Sequence, residues 1–229
     1  MSMIAQPTSA TGLRDDETLD DLRLRLAPLV AANAAFDGWS KGAIAQAADQ
    51  AGVDREVAEL AFDGGAMTMI EAWFASVDAA MLERVPAAQL AAMKIRARIT
   101  TLVEARLTIL APHREALRRA QAVLAMPGHM KRATQLGWRA ADAMWRAAGD
   151  TAVDYNHYTK RATLGAVYAG TLLVFVNDES EDHGETRAFL ARRIEGIMRF
   201  EKAKARLTAN ADRHFSLARF AGRLRYPGR

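Results

Sequence analysis

The chain has 229 residues, an apolar fraction of 50% and a formal charge of +4, which is enough for a continuous core in one large domain or two small ones. It has no cysteine, so disulfides, thiolate metal sites and thiol nucleophiles are excluded. The charge is uneven: Lys202 to Arg229 holds eight basic residues against Asp212, a net of +7, leaving about −3 for everything before it.

Residues 1–18 carry Ser, Thr, Gly, Asp and a single Pro without an apolar segment, and are expected to form a disordered leader. Beyond them, apolar residues recur at three- and four-residue spacing, and Ala, Leu, Met, Arg and Glu dominate, which predicts helices throughout and no strand. With Pro and Gly as punctuation, helices are predicted near 17–36, 40–51, 54–62, 66–84, 87–110, 112–126, 129–148, 154–176 and 183–207, with a short one near 212–225. Pro112 suits a first helical turn, Pro127 interrupts the pattern after Met126, Gly149-Asp150 ends one helix and Asp154 is placed to cap the next. The longest uncharged run, Ala162 to Asn177, falls short of the roughly 20 apolar residues that span a bilayer and reads as a buried helix. Asn177 to Gly184 reads as a solvated loop between two long helices.

Gly38-Trp39-Ser40 opens a short helix, Ala51-Gly52-Val53 makes a turn, and a second short helix starts at Asp54, a pattern that resembles the helix-turn-helix of TetR-type regulators. The electrostatics oppose DNA binding. From Asp37 to Gly65 there are two bases, Lys41 and Arg55, against Asp37, Asp49, Asp54, Glu56, Glu59 and Asp63, a net of −4, whereas a duplex is held by bases that displace counterions from phosphates. A retained structural unit is the better reading, and no nucleic acid is expected as partner. A ligand-responsive TetR-type repressor stands as the alternative function.

The five histidines form neither a His-Glu-x-x-His nor a Glu-x-x-His pair, so no metal site is expected. Gly64-Gly65 lacks the lysine and the strand of a phosphate loop. With no nucleophile, base or metal constellation in the sequence, the chain is not expected to be an enzyme. The densest polar cluster is Asp142, Asp150, Asp154, Asn156, His157, Tyr158, Lys160 and Arg161, at the junction of two predicted helices. Its residues either converge on a site or satisfy one another.

Within that cluster the sequence reads Met144-Trp145-x-x-Ala148-Gly149-Asp150-x-x-x-Asp154-x-Asn156-x-Tyr158-Thr159-Lys160-Arg161. It continues with Leu164, Val167-Tyr168 and Thr171, then Asp178-x-Ser180, Thr186 and Phe189-Leu190-x-x-Arg193-Ile194. From about Leu22 to Arg199 the chain resembles the ubiquinone-biosynthesis accessory family, the ninth Coq protein. The resemblance implies an all-α, TetR-like homodimer with a degenerate helix-turn-helix unit over 19–64 and a helical lipid-binding and dimerisation region over 65–207; beyond it, the residue pattern predicts a basic amphipathic helix over 208–229. It implies a non-catalytic role, binding a prenylated lipid and presenting membrane-embedded quinone precursors to the di-iron demethoxyubiquinone hydroxylase. No cofactor is implied beyond a bound isoprenoid quinone precursor or phospholipid. The implied partner surface comprises Met144, Asp150, Asp154, Asn156, His157, Tyr158 and Arg161, with His157 where animal relatives carry Trp. Met144 as core packing and Asp154 as a helix cap are equally open readings of the residues themselves.

For the implied lipid pocket, Met69, Trp73, Met93, Trp138, Trp145, Tyr168, Leu172 and Phe175 supply apolar surface on several helices. Gly165, Ala166, Ala169 and Gly170 either admit a neighbouring helix or leave room for a prenyl chain. In the tail, Leu217, Phe220, Ala221 and Leu224 follow i, i+3, i+4, i+7 spacing with Arg219 and Arg223 opposite and Arg213 near the apolar face, an interfacial-helix pattern. Arg213, Leu217, Arg219, Phe220, Arg223 and Leu224 are thus the expected membrane contacts, and the expected location is cytoplasmic, peripheral to the inner face of the inner membrane.

Overall fold

The computed structural model describes the backbone of residues 17–150 and 155–211 and the side chains of 17–150, 157–197 and 199. Residues 1–16, Asp154, the Asn156 side chain and the expected membrane contacts Arg213, Leu217, Arg219, Phe220, Arg223 and Leu224 lie outside the described residues.

Thr18, expected at the end of the leader, instead caps α1 (Leu19–Asp37): its hydroxyl accepts the Asp21 N–H and the Asp21 carboxylate accepts the Thr18 N–H. Gly38, at φ 69°, ends that helix, and the Ser40 side chain caps α2 (Lys41–Ala51). Gly52 takes the left-handed turn at φ 64°. Asp54 caps α3 (Arg55–Ala61) by accepting from the Glu56 and Val57 amides. Both bases of the 37–65 stretch are held by acids of the same stretch, Lys41 by Glu59 at 2.8 Å and Arg55 by Asp49 at 2.6 Å. The Trp39 ring lies 5.3 Å from that of Trp73, and its Nε1–H donates to the Ala116 carbonyl at 3.2 Å. Packing therefore continues across the Gly64-Gly65 turn into the remaining helices.

Those are α4 (Ala66–Arg84), α5 (Ala87–Ala91), α6 (Ile95–Leu110), α7 (Arg114–Leu124), α8 (Met130–Ala147), α9 (Tyr155–Phe175) and α10 (Gly184–Ala211), with 3-10 turns at Ala111–His113, Pro127–His129 and Glu181–His183. The one helix predicted over 87–110 is two. No Pro or Gly marks the break; Arg98 makes it, donating to the Ala91, Met93 and Ala148 carbonyls. One guanidinium thereby satisfies orphan carbonyls at the ends of both α5 and α8.

α8 lies against α9, and α10 packs on α9 and α6. At the α8–α9 crossing a Cβ on Gly165 would meet the Gly137 carbonyl oxygen at 3.3 Å, and one on Gly170 would meet the Phe189 ring at 3.5 Å. At both glycines the small residue admits a neighbouring helix. The start of α10 is organised by Asp178, which is buried. One carboxylate oxygen accepts from the Ser180 amide and hydroxyl, the other from the Thr186 amide and hydroxyl. Burial pushes this carboxyl up, but the four hydrogen bonds outweigh it and hold it well below the usual carboxylate range. Among the described residues no helix is long and apolar enough to cross a membrane.

Candidate functional site

Two structures meet where α8 ends and α9 begins. The first is an ion cluster. Arg161, 2% exposed, donates to Asp142, to Asp150 at 3.2 Å and to the His157 carbonyl at 3.2 Å. Lys160 pairs with Asp150 at 2.7 Å, and Arg146 with Asp142 at 2.8 Å. Burial raises the Asp150 carboxyl, yet the hydrogen bonds from Lys160 and Arg161 prevail and keep it below its ordinary value. Gly149, at φ 87°, turns the chain so that Asp150 reaches both cations. Among the described residues the motif's charges thus satisfy one another, and two of the expected partner contacts belong to the interior. Arg161 holds α8 to α9, and Met144 is fully buried core. The outward part of the expected surface is Tyr158, 61% exposed, with its ring 5.9 Å from that of Trp138 and 5.2 Å from that of His157.

The second structure is a cavity of about 230 Å³ between α6, α8, α9 and α10. Its walls are Ile95, Ile99, Leu164, Ile194 and Ile197, with Thr159 and Thr163 as hydroxyls and Arg96 as a cation. Trp145 and Lys160 complete it and join it to the ion cluster: the Trp145 Nε1–H donates to the Lys160 carbonyl at 3.1 Å, and the Lys160 ammonium stands 5.4 Å from the Trp145 ring centre. Both residues therefore face the cavity on one side and the motif on the other.

Of the eight residues expected to bind lipid, Trp145 lines this cavity. Met69 and Trp73 are core of α4, the Trp73 ring lying between the tilted rings of Trp39 and Phe74 at 5.3 Å from each. Tyr168 is buried, its hydroxyl accepting from Arg106 at 2.9 Å, and burial pushes its phenol up despite that guanidinium. Phe175 is buried against His183 and Arg114, and Leu172 lies in the same core. Met93 packs on the core at the α5–α6 break, where its sulfur accepts from the Thr101 hydroxyl. Trp138 lies beside Tyr158 on the outer face. Trp145 apart, the cavity is walled mainly by isoleucines and not by the large aromatic and Met side chains expected from the sequence. Ile95/Ile99 and Ile194/Ile197, spaced four and three apart on two helices, were the signal for one apolar face each.

This architecture is that of TetR-like proteins. The structure is similar to a TetR transcriptional regulator from Nitrosomonas europaea ATCC 19718, with a TM-score of 0.60 and 24% identity, covering 76% of this chain and 96% of that one. This likeness concerns the fold.

Residues 130–201 match the family model described as COQ9. The chain is 30% identical over 190 residues to the mitochondrial ubiquinone biosynthesis protein COQ9 of Bos taurus and of Homo sapiens, covering 80% of this chain and 60% of each relative. It is 32% identical over 167 residues to that of Rattus norvegicus, covering 70% of this chain and 54% of the relative. The chain thus spans about 60% of the length of the first of these relatives. Residues 130–201, which match the COQ9 family model, include α8 and α9 with the ion cluster and the outer aromatic face.

Proposed function

We propose that this protein serves ubiquinone biosynthesis without catalysing a step, by binding a prenylated quinone precursor and presenting it to the demethoxyubiquinone hydroxylase. The observation that carries this reading is the shared wall: Trp145 and Lys160 belong both to the apolar cavity and to the COQ9-like motif. A ligand seated among Ile95, Ile99, Leu164, Ile194 and Ile197 lies directly behind the cluster whose outer face offers Tyr158, His157 and Trp138 to a partner. The cavity is apolar with a few hydroxyls and cations, as small-molecule sites commonly are. At about 230 Å³ it exceeds the ~150 Å³ that holds a benzene ring and falls below the ~300 Å³ at which sites for drug-sized ligands begin. It therefore takes one segment of a long amphiphile and leaves the rest outside.

In this reading the protein acts as a homodimer at the inner face of the inner membrane, and the basic stretch over 208–229 contributes to membrane attachment. A phospholipid is the other ligand class that the cavity suits. The test is mass spectrometry of organic extracts of the purified protein against an unrelated helical protein from the same cells. Enrichment of polyprenylated quinones or their precursors supports the proposal. Absence of any lipid removes the presenting role and leaves a docking scaffold.

A further inference from the structure

At the opposite end of α8 from the motif, α7 and α8 meet in a corner built from Ala125, Met126, Pro127, Gly128 and Met130. Met126 is 51% and Met130 63% exposed, and Ala125, Pro127 and Gly128 between them are exposed as well. The chain thus carries an apolar apex on the turn between two helices, with no element of the described structure covering it.

The charge around this apex is predominantly basic. From Ala116 to Ala141 the sequence has Arg118, Arg119, Lys131, Arg132 and Arg139 and no carboxylate. Three of these bases are held by acids from outside the stretch, Arg118 and Arg119 by Glu115 and Arg132 by Glu71. Counting those two carboxylates, the corner still carries a net of +3. Lys131 and Arg139 are exposed and have no ion-pair partner among the described residues.

An apolar tip with one unpaired base beside it, Lys131, and a second, Arg139, about 14 Å further along α8 matches a surface that is negative outside and apolar beneath, which is the chemistry of an anionic bilayer leaflet. Methionine suits the tip because its flexible, polarisable side chain adapts to irregular apolar surroundings. The three-helix unit is a poor competitor for such a surface, because residues 37–65 carry −4. We propose that the α7–α8 corner is a membrane contact of this protein, with Met126 and Met130 entering an anionic leaflet and Lys131 and Arg139 lying over its headgroups. The residues of this contact are other than those of the basic stretch over 208–229, and neither the cavity nor the motif contributes to it.

The absence of cysteine permits a clean local test. In the full chain, Met130→Cys and, as a control, Leu82→Cys on α4 each receive a single environment-sensitive fluorophore. Vesicles of equimolar phosphatidylcholine and phosphatidylglycerol are the probe. The label at 130 is expected to shift to the blue on vesicle addition and the label at 82 to stay hydrated. Lys131→Gln with Arg139→Gln should weaken vesicle binding roughly fivefold per base removed, about 25-fold together, and the loss should shrink as salt screens the leaflet. A label at 130 that stays hydrated on bound protein overturns the proposal, as does unchanged binding of the double variant or no vesicle binding at all. Protection of the label by an acidic protein or a nucleic acid, and never by vesicles, assigns the corner to another occupant and likewise overturns it.

Discussion

Replacing Arg161 separates interior support from partner contact at the COQ9-like motif. Its guanidinium is buried and holds Asp142 and Asp150 together. Removing one member of a buried ion pair commonly costs about 3–5 kcal/mol, because an uncompensated charge stays behind. Here neither carboxylate is left alone, since Asp150 keeps Lys160 and Asp142 keeps Arg146. The loss on Arg161→Ala should therefore fall near the bottom of that range, about 3 kcal/mol. For a chain of this size that corresponds to a fall in Tm of about 6–12 °C, read by circular dichroism at neutral pH. Tyr158→Ala, at an exposed position, should cost under about 1 kcal/mol and yet weaken capture of the hydroxylase. If Arg161→Ala melts with the parent protein while losing the hydroxylase, the residue contacts the partner and the interior assignment is wrong.

Gly165→Val places branched carbons against the Gly137 backbone at the α8–α9 crossing and should destabilise by about 1–3 kcal/mol. A melting curve that overlays the parent's would show that the crossing relaxes freely. Asp178→Ala leaves the Ser180 and Thr186 amides without their acceptor and should cost about 2–4 kcal/mol. The acid limb of the stability profile tests the same network. Because the folded-state pKa of Asp178 is depressed, its contribution is complete above the ordinary aspartate value of about 3.9 and is lost as pH falls below that. The Asp178→Ala protein should show a shallower loss across that range, and an identical slope would contradict the assignment. Thr163→Trp fills the cavity from α9 and should deplete co-purifying lipid while leaving the fold intact. Undiminished lipid would place the ligand elsewhere.

What the sequence determined by itself is the class of fold and the motif. Helical periodicity, the helix starts at Ser40 and Asp54 and the Gly38, Gly52 and Gly149 stops are local chemistry, and most of the predicted helices appear close to their expected spans; the Thr18 cap is not among them, since Thr18 reads as the end of the leader. Charge counting identified the acidic three-helix unit, and the Gly149–Thr159 pattern pointed to the COQ9 family that matches residues 130–201. The tertiary structure decided which residues face what. The α5–α6 break depends on Arg98 reaching carbonyls of both α5 and α8, a contact spanning about fifty positions that no local pattern encodes. Met144 and Arg161 lie in a motif that reads as a surface but is partly interior, because Asp142 and Asp150 draw the guanidinium inward. The cavity is formed by isoleucines from α6 and α10 nearly a hundred residues apart. Periodicity tells which side of each helix is apolar, and only the packing of α6, α8, α9 and α10 decides where those sides fail to close.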